Sequence, residues 1–262
     1  MAPVTPGLAA APVPFRRLVL VELRKVVDTR SGRWLLLSAG LLVGLFEVAL
    51  LLSVTIQALA VSFEDFAAGA GGITSVFLPV LGILLVTSEW GQRTAMVTFA
   101  LEPRRIRVVL AKLAVGLVLT LVTVGFMVAV ATIGTGVAAV ARPGLASWDV
   151  GVEGFAGYLV VQALTMTVGF ALACLTLSSP AAIVTFFLYW GALPLVLYTL
   201  QGLFPAFEDA APWINFQSAL DPVRTWTLDS GEQWGQLLVG GALWIGVPLA
   251  LGLWRILRAE VK

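Results

Sequence analysis

Residues 88–112 read SEWGQRTAMVTFALEPRRIRVVLAK. The stretch sets Arg93, Arg104, Arg105, Arg107 and Lys112 against only Glu89 and Glu102, and it lies between two long apolar runs. Thr94 to Leu101 has helical character. Pro103 predicts a stop at about Glu102, because the residue before proline disfavours the α region. The expected element is a short helix bounded by charges and lying along a membrane face. Positive charge alone suffices to fix topology. Topology does not require an apolar stripe such as Met96, Phe99 and Ala100, so the stripe points to a docking surface.

Outward from this loop, apolar runs repeat. A helix needs roughly 20 apolar residues to cross the hydrocarbon core. Six crossings are predicted: about Trp34–Ala60, Gly71–Thr87, Val108–Val140, Phe155–Leu177, Ala181–Leu203 and Trp234–Trp254. The runs are long and lack apolar/polar alternation, so they read as helices rather than barrel strands. Ser178-Ser179-Pro180 makes a tight hairpin of the fourth and fifth. The segment 204–233 carries Pro205, Pro212, Pro222, Trp213, Phe216 and Trp226, and predicts short helices at the outer interface.

The chain has 16 Lys and Arg residues in all. Except for Arg142 and Arg224, they fall within 1–33, 88–112 and 255–262. Glu64, Asp65, Asp149, Glu153, Glu208, Asp209, Asp221, Asp229 and Glu232 lie in the alternate connections. Basic residues near span ends are held on the cytoplasmic side. Both termini and the 88–112 loop are therefore expected in the cytoplasm. Trp34, Trp90 and Trp254 fall at inner boundaries and Trp148, Trp213 and Trp234 near outer ones, as headgroup-level tryptophans do. Trp190 and Trp244 break that pattern.

The chain is 59% hydrophobic and 12% charged, about half the charge of a typical soluble domain. The basic groups sit beside spans, which excludes a nucleic-acid surface. Cys174 stands alone in an apolar run and histidine is absent. No intrachain disulfide or thiolate cluster can form, and the commonest general base is missing. Residues 1–14 read as a disordered lead-in rather than a signal peptide, and 15–262 as a single six-span domain. Phe15–Asp28, FRRLVLVELRKVVD, places Phe15, Val19, Leu20, Leu23, Val26 and Val27 on one arc and Arg17, Arg24, Lys25 and Asp28 on the other; Arg16 and Glu22 fit imperfectly. This is the pattern of a basic amphipathic helix in the inner interface, with a cytoplasmic extension of span one as the alternative.

Glu47 is the one carboxylate inside an apolar run. An acid there costs about 2.5–3.5 kcal/mol on insertion scales; such residues face a cavity or a partner. Ser53, Thr55 and Gln57 add polarity nearby, favouring a cavity, while a protonated carboxyl bonded to a neighbouring helix is the structural alternative. Gly40-x-x-x-Gly44 permits close helix approach. Pro79, Pro194 and Pro248 each free a carbonyl inside a span. There is no phosphate-binding loop, and no Gly-Lys pair at all. No cofactor site, metal site or catalytic motif is evident, and the chain is not expected to be an enzyme.

The order of parts resembles the ABC-2 family of ATP-binding-cassette permeases, the membrane subunits of type V exporters. The resemblance runs from about Phe15 to Lys262: an interfacial helix, two spans, a basic inner loop, then four spans with an elaborate outer segment before the last. Glu89, Arg93-Thr94, Pro103-Arg104-Arg105, Arg107 and Ala111-Lys112 match the family's loose loop pattern, with Arg93 where glycine is usual. The resemblance implies an all-α membrane protein in a bacterial cytoplasmic membrane. It implies a coupling helix at 94–102 that docks on a separate ATPase through Arg93, Thr94, Met96, Phe99, Glu102, Arg104 and Arg105. Two ATPase copies would bind ATP and Mg, and a second permease copy would complete a homodimer. Spans one, two and five would line the substrate path, with Glu47, Ser53 and Gln57 facing it. An ion-coupled carrier using Glu47 and a non-transporting membrane scaffold are the competing classes.

Overall fold

A computed structural model describes residues 13–92, 94–102, 104–149 and 152–258. Arg93, Pro103 and most of the 1–14 lead-in lie outside them. The helices are α1 (Phe15–Asp28), α2 (Arg30–Gln57), α3 (Phe63–Gly91), α4 (Ala95–Leu101), α5 (Arg105–Ala141) and α6 (Val152–Thr176). They continue with α7 (Ser179–Phe187), α8 (Leu193–Leu203), α9 (Ala206–Ile214), α10 (Phe216–Thr225), α11 (Gly231–Gly241) and α12 (Val247–Arg258). One π-helical turn, Leu188–Ala192, joins α7 to α8, and another, Ala242–Gly246, joins α11 to α12.

Among the described residues, six helices are long and apolar enough to cross a membrane: α2, α3, α5, the α6 segment from Gly154, Ser179–Leu203 and Gly231–Arg258. The chain is thus consistent with a multi-pass helical membrane protein. Most spans start or end a few residues outside the apolar runs. The reason is that polar residues at the ends cap helices rather than terminate them. Ser62 and Asp65 form a capping box that starts α3, and Ser230 and Gln233 form one that starts α11. The 37 residues of α5 extend roughly 55 Å, well beyond the hydrocarbon thickness.

The end carrying α1, α4 and Arg258 is called here the basic end, and the other the acidic end. At the basic end Arg255 donates to Leu175 O at 2.8 Å and Arg105 to Ile256 O at 2.6 Å. These cations meet the last carbonyls of α6 and α12, where the helix dipole is negative. Arg142, an exception to the charge segregation, does the same for α2 by donating to Thr55 O at 2.7 Å. Arg224, the other exception, sits 3.4 Å from Asp221.

The core runs along α3. Its span is 61% buried, against 11% for α2 and 17% for Gly231–Arg258, so α3 is the central helix. It packs on α2, α5, α6 and α7. Gly169 on α6 allows a close approach to α3: a Cβ there would stand 2.6 Å from Pro79 O. At the acidic end, β1 (Val61–Ser62) and β2 (Ala146–Ser147) pair in parallel, Val61 opposite Ala146. The sequence predicts no strand. These two-residue segments carry no periodicity, and it is the meeting of the α2–α3 and α5–α6 connections that creates the pair.

The two π turns explain the mid-span prolines and tryptophans. Pro194 and Pro248 each stand two positions beyond the last residue of a π turn, and each removes a donor from its helix. Gln217 on α10 donates to the Tyr189 and Trp190 carbonyls at 3.2 and 3.1 Å. Trp244 donates from its indole N–H to Ile214 O at 2.9 Å, and its ring lies 4.6 Å from that of Tyr189. The 204–233 segment is therefore a structural clamp. Phe216, Ala219, Leu220 and Val223 of α10 are buried, so it packs into the bundle rather than only dipping into an interface.

Candidate coupling site at the basic end

Helix α1 turns one face to the bundle. Glu22 and Val26 are buried and Val19 and Leu23 half-buried, while Phe15, Leu20, Val21 and Val27 are exposed. The apolar arc predicted for this helix is therefore split between bundle and surroundings. Arg17 and Arg24 are exposed as expected, but Lys25 is half-buried. Glu22, which fits the amphipathic pattern badly, is the residue the bundle selects.

Four charges close a ring. Glu22 accepts from Lys25 at 2.5 Å and from Lys112 at 2.7 Å. Glu89 accepts from Lys25 at 2.6 Å and lies 3.3 Å from Lys112. Lys112 also donates to Leu85 O at 2.8 Å. The side chains of Glu22, Glu89 and Lys112 are 6%, 7% and 5% exposed. Two cations and two anions alternate, so the ring is neutral and each ion has oppositely charged neighbours. That arrangement makes the burial tolerable, since an unpaired ion there carries a desolvation cost of several kcal/mol. Burial lowers the pKa of Lys25, but its bonds to Glu22 and Glu89 outweigh that and raise it overall.

The fifth member is Thr98 of α4, whose hydroxyl donates to Glu89 at 3.0 Å. The ring thereby ties α1, α3, α4 and α5 together at one point. Phe99 packs on Trp90 with ring centres 6.2 Å apart, and the Arg105 guanidinium lies 5.0 Å over Phe99. Glu102 is buried, accepts from Arg107 at 2.7 Å and from the Arg104 amide at 3.4 Å, and fixes the α4–α5 corner. Helix α4 stops where Pro103 predicts, with Glu102 in extended conformation.

The predicted coupling residues thus divide. Thr94, Met96 and Arg104 are exposed. Phe99, Glu102 and Arg105 are turned to the bundle and hold α4 in place. The apolar stripe of Met96, Phe99 and Ala100 requires correction: Met96 is exposed at 49%, beside Val97 at 61%, Phe99 belongs to the inner side, and the Ala100 side chain lies outside the described ones. Helical spacing placed Met96 and Phe99 side by side, and only the position of Trp90 decides that Phe99 faces inward. Sequence reasoning missed the ring. Its one signal was a charge on the apolar face of α1 and another, of opposite sign, inside the third span.

The structure does not bring Glu47, Ser53 and Gln57 together. Glu47 is buried among α2, α3 and α5, beside Phe66 and Gly134, and neither carboxyl oxygen has a hydrogen-bond partner. Gln57 is exposed at the acidic end. Ser53 bonds its own helix at Leu50 O. The ten-residue spacing is close to three turns, yet the two side chains differ in surroundings because α5 covers one and not the other. Gly40 and Gly44 face open space and are not used for packing within this chain. Among the described residues no cluster of three or more His, Cys, Asp or Glu is placed to hold a metal ion. No protein-family model matches this sequence, and no curated protein matches it.

Proposed function

We propose that this chain is the membrane-spanning permease subunit of an ABC exporter, driven by a separate cytoplasmic ATPase. The observation that carries the reading is the bond from Thr98 to Glu89. It makes α4 a rigid lever rather than a loose basic anchor. A push on its exposed face, Met96, Val97 and Arg104, passes through Glu89 and the ring into α1, α3 and α5. A device of this kind converts a rigid-body movement at one end into a change of exposure in the spans. The basic end then lies in the cytoplasm, α1 in the inner interface, and the chemistry of ATP hydrolysis in the partner.

The substrate path is assigned to the face left uncovered in one copy. Helix α2 is its largest part, with Leu37, Leu41, Leu45 and Ile56 exposed and Gly40 and Gly44 open. A second copy seated there and on span five completes the path. Span two contributes less than the resemblance implies, because α3 is committed to its own core.

Co-expression with a P-loop ATPase from a neighbouring reading frame tests the reading. Met96→Glu with Arg104→Glu should abolish ATPase capture and cargo movement while thermal unfolding stays unchanged. Normal capture and movement in that variant would overturn it. The unpartnered Glu47 carboxyl favours a second reading, an ion-coupled carrier. Transport that persists without ATP while a proton gradient remains would select that one.

A further inference from the structure

A cavity of about 410 Å³ opens toward the acidic end between α3, α6, α8 and α10. That volume is within the range of small-molecule sites, about 300–1,000 Å³. Tyr158 and Gln162 of α6 line it from one side, Trp190 of the first π turn from another, and Asn215, Asp221 and Arg224 from the clamp. None of these belongs to the coupling site or to the α2 face.

Gln162 is 3% exposed. Its amide nitrogen donates to Gly71 O at 2.9 Å and to Thr74 Oγ1 at 3.0 Å. Gly71 O can only accept, so the side chain is fixed with nitrogen toward α3 and oxygen away from it. That oxygen is buried and has no hydrogen-bond partner. The Tyr158 hydroxyl is buried in the same wall, with the Arg224 guanidinium as its polar neighbour. Native structures rarely leave buried polar atoms unpaired, and each such atom calls for an explanation.

The lining specifies the chemistry. The Gln162 oxygen accepts only, so the ligand must donate. The Asp221 carboxylate adds acceptors, and Asn215 and Arg224 add donors. Among the described lining residues Asp221 and Arg224 are the charged ones, and they form a pair 3.4 Å apart whose charges compensate each other. A lone cation or anion gains no net countercharge there. Tyr158 and Trp190 supply aromatic surface. Groups that both donate and accept, carried on a neutral ring that stacks on aromatics, are hydroxyls on a sugar or cyclic polyol. We propose that this cavity binds a neutral polyhydroxylated ring, presented either as a free sugar or as a glycosyl lipid headgroup. The inference does not depend on an ATPase partner.

The test uses the full chain in phosphatidylcholine nanodiscs, purified in a non-glycosidic detergent. Methyl β-glucopyranoside is titrated by calorimetry as the free-sugar arm. Glucosyl-diacylglycerol, added to the nanodiscs and read by native mass spectrometry, is the lipid arm. Saturable binding in either arm is expected and identifies the source. Asp221→Ala and Trp190→Ala, at exposed or half-exposed positions that leave the fold intact, should each weaken it about tenfold or more. Gln162→Leu should abolish it. Binding in neither arm would overturn the proposal. So would equal binding of choline or inorganic phosphate, or full affinity in both surface variants with unchanged thermal unfolding.

Discussion

Replacing Lys112 with methionine removes the more deeply buried of the two cations that touch both acids of the ring. Methionine nearly preserves the length and apolar stem, so the change is mainly electrostatic. Glu22 loses a partner at 2.7 Å and Glu89 one at 3.3 Å, and Leu85 O loses a donor. The neutral ring becomes a buried site of net charge −1, with Lys25 left between two carboxylates. Breaking one partner out of a buried pair costs about 3–5 kcal/mol. At roughly 2–4 °C per kcal/mol for soluble domains of similar size, the midpoint should fall by about 6–20 °C. Glu22→Gln combined with Lys112→Met restores neutrality and leaves the Lys25–Glu89 pair. The double variant should recover most of the loss, the coupling expected of neighbours in one network. Cys174 supplies the assay: it is the sole cysteine and fully buried, so a thiol-reactive dye reports unfolding as temperature rises. Tryptophan fluorescence gives an independent trace, since Cys174 lies close enough to Lys112 to feel its charge. A single variant as stable as wild type, or a double variant no better than the single, would refute the claim that charge balance holds this end together.

Further expectations follow from other contacts. Gly252→Ala places a Cβ 2.5 Å from the Cys174 carbonyl carbon and should cost about 1–3 kcal/mol by overpacking, whereas Gly40→Ala, with nothing nearby, should leave the fold of one copy untouched; paired melting curves decide. Gln217→Leu strips the donor from the Tyr189 and Trp190 carbonyls and should destabilise by about 1–3 kcal/mol, visible as a lower dye-reactivity midpoint. Glu47→Gln should preserve folding, because neither oxygen has a partner to lose, while altering transport or ATPase stimulation; failure to fold would show that the carboxyl is structural. The contribution of Lys25, taken as wild type minus Lys25→Met, has a defined sign. Its pKa is raised above 10.5 in the folded state, so the contribution is full below that value and falls only as pH rises past it, which alkaline melts would show.

The sequence by itself determined that six helices are long and apolar enough to cross a membrane, and that basic residues gather in alternate connections. Twenty-residue apolar runs and clustered arginines are one-dimensional signals: a crossing helix satisfies its own backbone, so its presence does not depend on what lies beside it. The stop of α4 at Pro103 was equally local. What only the tertiary structure decided is which side chains meet. Glu22, Lys25, Glu89 and Lys112 are separated by up to ninety positions, and nothing in any one helix says that their faces will converge. Inside a bilayer every outward face is apolar, so hydrophobic periodicity no longer marks the buried side. That is why Phe99 was read as outward and Glu47 was grouped with Gln57. Pro194 and the tryptophans of spans five and six became intelligible only once the 204–233 segment was seen to give the Tyr189 and Trp190 carbonyls a donor and the Trp244 indole an acceptor.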